Sequence, residues 1–209
     1  MDFRHFIRII QKYLPALIGL PIGTMLLVYV LMRNEKKQYS ASTLIYTGLA
    51  SGYTIESGQD SRVDYFAVSN AFDNLVSTIK SRATLEEVGV RLLAEHLMLK
   101  APDAALANSE TFEELKSALP AQIRARVVDH SSYENTVRNI KEYAKIPKNP
   151  LAERLLNSKN HPYSVAGITA QLTVAREGTS DMVRLSYLAT DPAVAKHSLE
   201  LLTAVFTSR

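Results

Sequence analysis

The sequence predicts an α/β (α+β) fold: a transmembrane helix followed by a mixed sheet of at least three strands, with helices packed on one face. Three observations predict it. Twenty consecutive residues, Tyr13–Met32 (YLPALIGLPIGTMLLVYVLM), carry no charge. The segments Gly167–Arg176 and Met182–Ala189 alternate apolar and polar residues on either side of a glycine turn. Between positions 63 and 145 apolar residues recur at helical spacing instead.

The uncharged run sets the first element. At about 1.5 Å rise per residue its helix is roughly 30 Å long, the thickness of a bilayer's hydrocarbon core. Lys12 and Arg33 bracket it. Pro15 and Pro21 would weaken a soluble helix, but membrane helices tolerate proline. Gly19 and Gly23 stand in GxxxG spacing, which lets helix backbones approach closely; relief of crowding near Pro21 explains them equally well. A cleaved signal peptide has a shorter apolar stretch and a small-x-small site, and Val30-Leu31-Met32-Arg33 is no such site. The chain therefore divides into an N-terminal segment (1–12), a transmembrane helix (13–32) and an α/β domain (33–209). Arg4, Arg8 and Lys12 precede the run, and Arg33, Lys36 and Lys37 follow it, so the positive-inside rule leaves orientation open. Phe3, Phe6, Ile7 and Ile10 share a helical face, which predicts a first segment lying along the membrane surface before the chain turns inward.

Composition narrows the remainder. A chain of 209 residues, less one anchor, holds one domain with a real core. The net charge of +3 is small and the Lys and Arg residues are scattered, which argues against a nucleic-acid partner. The absence of cysteine removes a disulfide framework and thiolate metal sites.

Ser40–Thr47 (SASTLIYT) is β-branched and aromatic, and reads as a strand. Gly48–Asp60 reads as a loop. Phe66, Phe72, Leu75, Val76 and Ile79 mark a helix over Val63–Ile79. A second helix spans Ser81–Lys100. Thr84/Glu87, Thr111/Glu114 and Ser131/Glu134 have capping-box spacing and locate helix starts. Pro102–Asn108 is a break, Pro120 ends one short helix or starts the next, and Leu151–Leu156 is another short helix after Pro147 and Pro150. Ile168–Arg176 and Met182–Ala189, joined through the Glu177–Ser180 turn, predict an antiparallel hairpin adjacent in the sheet to Ser42–Thr47. Asp191-Pro192 then starts a helix: the carboxylate caps free N–H groups, and proline suits the first helical position. Leu199, Leu202, Val205 and Phe206 stripe this helix. It is open at Arg209, with no capping glycine, so the natural protein is expected to continue.

Residues suited to catalysis are sparse. No G-x-S-x-G elbow or GxxxxGK[ST] loop occurs. Ser51 lies between glycines in Gly48–Gly52, a composition turns are built from. His5, His96, His130, His161 and His197 never pair at i, i+3 or i+4, so no metal site is expected, and His96 is placed on a helix rim. Glu86-Glu87 and Glu113-Glu114 lie near helix starts, where they suit the positive helix end. Ten tyrosines without tryptophan raise stacking on sugar rings, but Tyr39, Tyr46 and Tyr187 fall in strands, where aromatics are ordinary packing. The sequence thus nominates no catalytic, cofactor-binding or metal residue and no cofactor.

Two segments carry a resemblance. Tyr39-Ser-Ala-Ser-Thr-Leu-Ile-Tyr-Thr-Gly48 follows the apolar run, and Asp181-Met-Val-Arg-Leu-Ser-Tyr-Leu-Ala-Thr-Asp-Pro-Ala-Val-Ala195 lies near the other end. Together they resemble the chain-length determinant (Wzz-type) domain of bacterial polysaccharide co-polymerases. That family has an aliphatic strand soon after a first span, and later a strand followed by a Ser/Thr-Asp-Pro-x-x-Ala helix start. The middle, Asp60–Tyr163, is similar only in helix content. The resemblance implies a bacterial inner-membrane protein, with a cytoplasmic N-terminus and the main domain in the periplasm. It also implies a ring-forming homo-oligomer, with head-to-tail contacts, that works with a polysaccharide polymerase or export machinery. Such a protein regulates chain length or export of an exopolysaccharide, capsule or O-antigen and is not itself an enzyme. The family's second span and the kinase of some members, with its P-loop, are missing from this sequence. The alternative reading is a membrane-anchored periplasmic sensor or signalling domain, which would require an output domain.

Overall fold

The computed structural model describes residues 3–33, 37–49, 54–55, 62–63, 65–159 and 161–208. The chain divides into two compact units, 1–37 and 38–209.

The first unit is a single helix, α1 (Phe3–Met32). No turn separates the first twelve residues from the apolar run, so the surface-lying segment expected before an inward turn is instead the start of the same helix. The transmembrane helix expected over Tyr13–Met32 is corrected too. Among the described residues, no helix is long and apolar enough to cross a membrane. The unbroken stretch of described side chains, Ile18–Met32, is exposed throughout.

The second unit opens with β1 (Tyr39–Tyr46). Two-residue strands β2 (Thr54–Ile55) and β3 (Arg62–Val63) pair antiparallel: β2 falls inside the expected Gly48–Asp60 loop, and Val63 is a strand residue rather than the start of the expected helix; Ser51 and most of that loop lie outside the described residues. Helices α2 (Tyr65–Ile79), α3 (Arg82–Met98), α4 (Ser109–Ala118), α5 (Ala121–Val127) and α6 (Tyr133–Ala144) follow. A π-helical turn (Ala152–Leu156) leads to α7 (Val165–Gln171), the hairpin β4 (Leu172–Arg176) and β5 (Met182–Ala189), and α8 (Pro192–Thr207).

The main sheet has the order β1-β5-β4, and both pairings are antiparallel, so the expected mixed sheet is corrected to an antiparallel one. The hairpin makes β4 run against β5, and β1 pairs with the other side of β5 over eight residues. Here β1 and β4 run in the same direction but are not neighbours. The hairpin is shorter than expected, because Ile168–Gln171 are helical. The hydroxyl of Ser164 accepts the Gly167 N–H and starts α7, so the alternation of Ile168, Ala170, Leu172 and Val174 straddles a helix and a strand. The turn closes with Glu177 N–H donating to the Met182 carbonyl and Gly178 at φ +59°.

One sheet face is covered. Val183, Leu185 and Tyr187 of β5, with Leu172 and Val174 of β4, pack against Val68 and Phe72 of α2, Leu85 and Val88 of α3, and Leu199 and Leu202 of α8. On its other side α3 joins a second core: Leu93 and Leu97 with Leu115, Val127, Ile140, Leu155 and Tyr163. This helix is therefore shared by both cores and has little solvent-facing surface.

Three helix starts differ from the capping boxes. The caps are Ser81, Asn108 and Ser132, whose side chains accept the N–H of Thr84, Thr111 and Asn135. Thr84 and Thr111 thus stand at the position that donates to the cap. Asp191 caps α8 with Pro192 beside it, as the sequence reading placed them.

Candidate functional site

The side chains nominated and rejected for chemistry are dispersed. Ser51 and the His5 side chain lie outside the described residues, and His130 is exposed. Glu86 meets Arg82 at 3.9 Å on the surface of α3. Glu87 accepts from Arg91 Nε at 2.7 Å and from Lys141 Nζ. Burial pushes its carboxyl up, but those two cations outweigh burial and hold it below the ordinary range. Glu113 pairs with Lys116 at 3.7 Å. Among the described residues, no three His, Asp or Glu side chains converge as metal ligands.

His96 is not on a helix rim. It is 2% exposed, with Nδ1 2.7 Å from the Tyr163 hydroxyl. The two rings meet edge to face, and His161 stacks on Tyr163 at 4.9 Å between centroids. Burial, aided by the charge of His197, pushes His96 down to about 4, so it is neutral near pH 7. Burial pushes the Tyr163 hydroxyl up, which keeps its proton in place. His197 of α8 bonds to Glu95 of α3 and to Glu200. The Glu95 bond raises its pKa against the opposing effect of burial, and Glu200 adds to the rise. Asp191 is 2% exposed and accepts from the N–H groups of Ala193 and Asn108 and from the Thr111 hydroxyl. A neutral imidazole against an undissociated phenol, both in the core, orients a fold; it offers no path to a substrate.

The open features lie around β1, on both faces of the sheet. A groove of about 530 Å³ runs between β1 and α8. Ala41, Ser42 and Thr43 form one wall, and Leu199, Thr203 and Ala204 the other. Lys196 and Glu200, also in its lining, pair at 3.6 Å. On the sheet face away from the helices, Leu44, Tyr46, Met182 and Leu188 are exposed. Arg184 crosses that face to bind Glu177 through two nitrogens, at 2.7 and 2.9 Å. Of the tyrosines considered for sugar stacking, Tyr39 and Tyr46 are exposed, whereas Tyr187 is buried in the core.

The register fixes which backbone groups of β1 are unused. Thr47 N–H donates to the Asp181 carbonyl, continuing the pairing of Ile45 with Val183 and Thr43 with Leu185. In an antiparallel ladder N–H and C=O of alternate residues point to opposite edges. Ser40, Ser42, Leu44 and Tyr46 therefore direct theirs away from β5, to an edge with no strand partner among the described residues. The sequence reading missed this edge. Its signal was present: Tyr39–Tyr46 contains no charge and no proline, the residues that usually blunt an exposed edge strand. The arrangement suits the docking of backbone and apolar surface. Compared with known proteins, the chain matches no family model, no curated protein and no solved structure.

Proposed function

We propose that this chain acts by assembly, as a homo-oligomeric, ring-forming co-polymerase scaffold at the bacterial inner membrane. It regulates chain length or export of a surface polysaccharide alongside a polymerase or export machinery, and it is not itself an enzyme. The observation that carries the reading is the pairing of the two segments behind the resemblance. Tyr39–Tyr46 lies against Met182–Ala189 in one unbroken register, and the strand leads into the Asp191-Pro192 helix start. Two stretches far apart in sequence form one structural unit. The exposed apolar stretch Ile18–Met32 of α1 supplies surface for contact with lipid. The domain's recognition features are a groove and a strand edge, which suit protein partners.

Deleting the gene and resolving the surface polysaccharide of the host by gel electrophoresis tests this. The size distribution should change and be restored by the wild-type chain. An unchanged distribution overturns the reading.

A further inference from the structure

We propose that a second copy of this chain pairs its β1 antiparallel with the free edge of β1, about a two-fold axis through Thr43, to make a continuous six-stranded sheet. The two edges of the sheet are not equivalent. β4 is only five residues long, and its last residue, Arg176, is tied down. The Arg176 guanidinium sits 4.1 Å from the Phe72 ring centroid and donates to the carbonyls of Ser180 and Thr179. Short length and a fixed cation blunt that edge. β1 is eight residues long, uncharged and free of proline, and its register with β5 runs without a bulge. An unprotected edge of this kind templates another strand. Because, among the described residues, only one edge of this sheet is open, head-to-tail addition of sheets has no second surface to use. The arrangement that closes is the isologous one, in which the same edge serves both copies.

The register follows from the unused groups. Residues that direct N–H and C=O outward must face each other in hydrogen-bonded pairs, so Ser40 opposes the partner's Tyr46 and Ser42 opposes the partner's Leu44. Thr43 then faces the partner's Thr43 across the axis, in a pair without backbone bonds, where Cα atoms approach to about 4.5 Å. On the helix side Ala41 opposes the partner's Ile45, and the added strand fills the groove against Leu199 and Ala204. The rim carries one cation and one anion, Lys196 and Glu200, which pair with each other at 3.6 Å, so the two copies bring matched, self-compensated charge to the seam. This contact goes beyond ring formation, and it stands or fails without reference to any polysaccharide.

The chain has no cysteine, so a single introduced thiol reports cleanly. Thr43→Cys in the full chain, in detergent, should give a disulfide-linked dimer on mild oxidation. Its yield should exceed that of an exposed control, Ser117→Cys on α4, by at least about tenfold, because the axis holds the two thiols within disulfide reach. Adding Ser42→Pro, which removes an outward N–H and leaves the β5 ladder whole, or Leu44→Lys, which leaves the backbone untouched, should cut that yield to the control level. A Thr43→Cys protein that stays monomeric, or links no better than Ser117→Cys, overturns the proposal. So does a dimer yield indifferent to both edge variants.

Discussion

His96 Nδ1 lies 2.7 Å from the Tyr163 hydroxyl, joining the middle of α3 to the turn that precedes α7. Both residues are at most 2% exposed, so neither polar group has water as a substitute. Replacing Tyr163 by Phe removes one partner and leaves the imidazole nitrogen buried without its bond. That asymmetry costs about 1–3 kcal/mol, more than the net value of the bond itself. Urea denaturation at neutral pH should show the midpoint falling by that amount with the slope unchanged. A midpoint matching wild type would mean the pair contributes nothing to stability.

The histidines should shape the pH dependence in opposite directions. His96 titrates near 4 when folded and near 6.5 when unfolded. The unfolded state therefore binds more protons between those values, and stability falls as pH drops through that window. At full extent the loss is about 3 kcal/mol. His161, also pushed down by burial, acts in the same sense. His197 is raised by Glu95 and Glu200, so its contribution is complete below pH 6.5 and is lost as pH rises through its folded value. Stability should peak near pH 6.5. In His96→Gln the decline between pH 6.5 and 4.5 should shrink by about 2–3 kcal/mol, which unfolding curves at the two pH values measure. An equal decline in both proteins would show that His96 does not govern the acid limb.

The sequence exposed some of this architecture and concealed the rest for identifiable reasons. Asp191-Pro192 was legible because a cap and a first-turn proline are local features. The strand Met182–Ala189 was legible because one of its faces is buried and the other open. His96 was misplaced because α3 is enclosed by two cores, and a helix buried on both sides has no polar stripe to reveal which face is inside. The helical start of the supposed strand at Ile168 was hidden because four alternating residues fit either period at so short a length. The caps moved because Ser81, Asn108 and Ser132 compete with nearby Thr and Ser for the same role. The β1 groove was invisible in principle: it depends on β1 meeting α8, a contact between distant segments.

Gly89 shows a constraint of that same kind. It lies inside α3, where glycine costs helix stability relative to alanine. A Cβ there would overlap the main-chain carbonyl of Tyr163, well inside van der Waals contact, and crowd Ile168 Cδ1 at 3.3 Å. The obstacle is backbone, so a side-chain rotation cannot relieve it. Gly89→Ala should thus destabilise the domain by about 3 kcal/mol despite alanine's better helix propensity. Thermal unfolding followed by circular dichroism reads the change. A stabilised Gly89→Ala would show that the turn at Tyr163 does not approach α3 this closely.

Asp191 bears the largest load of any single cap. Its Oδ1 accepts the Ala193 N–H at 2.9 Å, and its Oδ2 accepts the Asn108 N–H at 2.7 Å and the Thr111 hydroxyl at 2.9 Å. One carboxylate therefore starts α8 and also holds the start of α4, since Asn108 is itself the cap of that helix. Losing an ordinary cap costs about 1 kcal/mol. Here two further donors would be left in a buried site, each worth about 1–3 kcal/mol when unsatisfied. Asp191→Ala should destabilise by about 3 kcal/mol or more, and hydrogen exchange should quicken at the starts of both α8 and α4. Asp191→Asn keeps acceptor capacity through its carbonyl oxygen and should recover the α8 cap while losing part of the link to α4. Faster exchange at α8 alone would show that the bridge to Asn108 and Thr111 is not made.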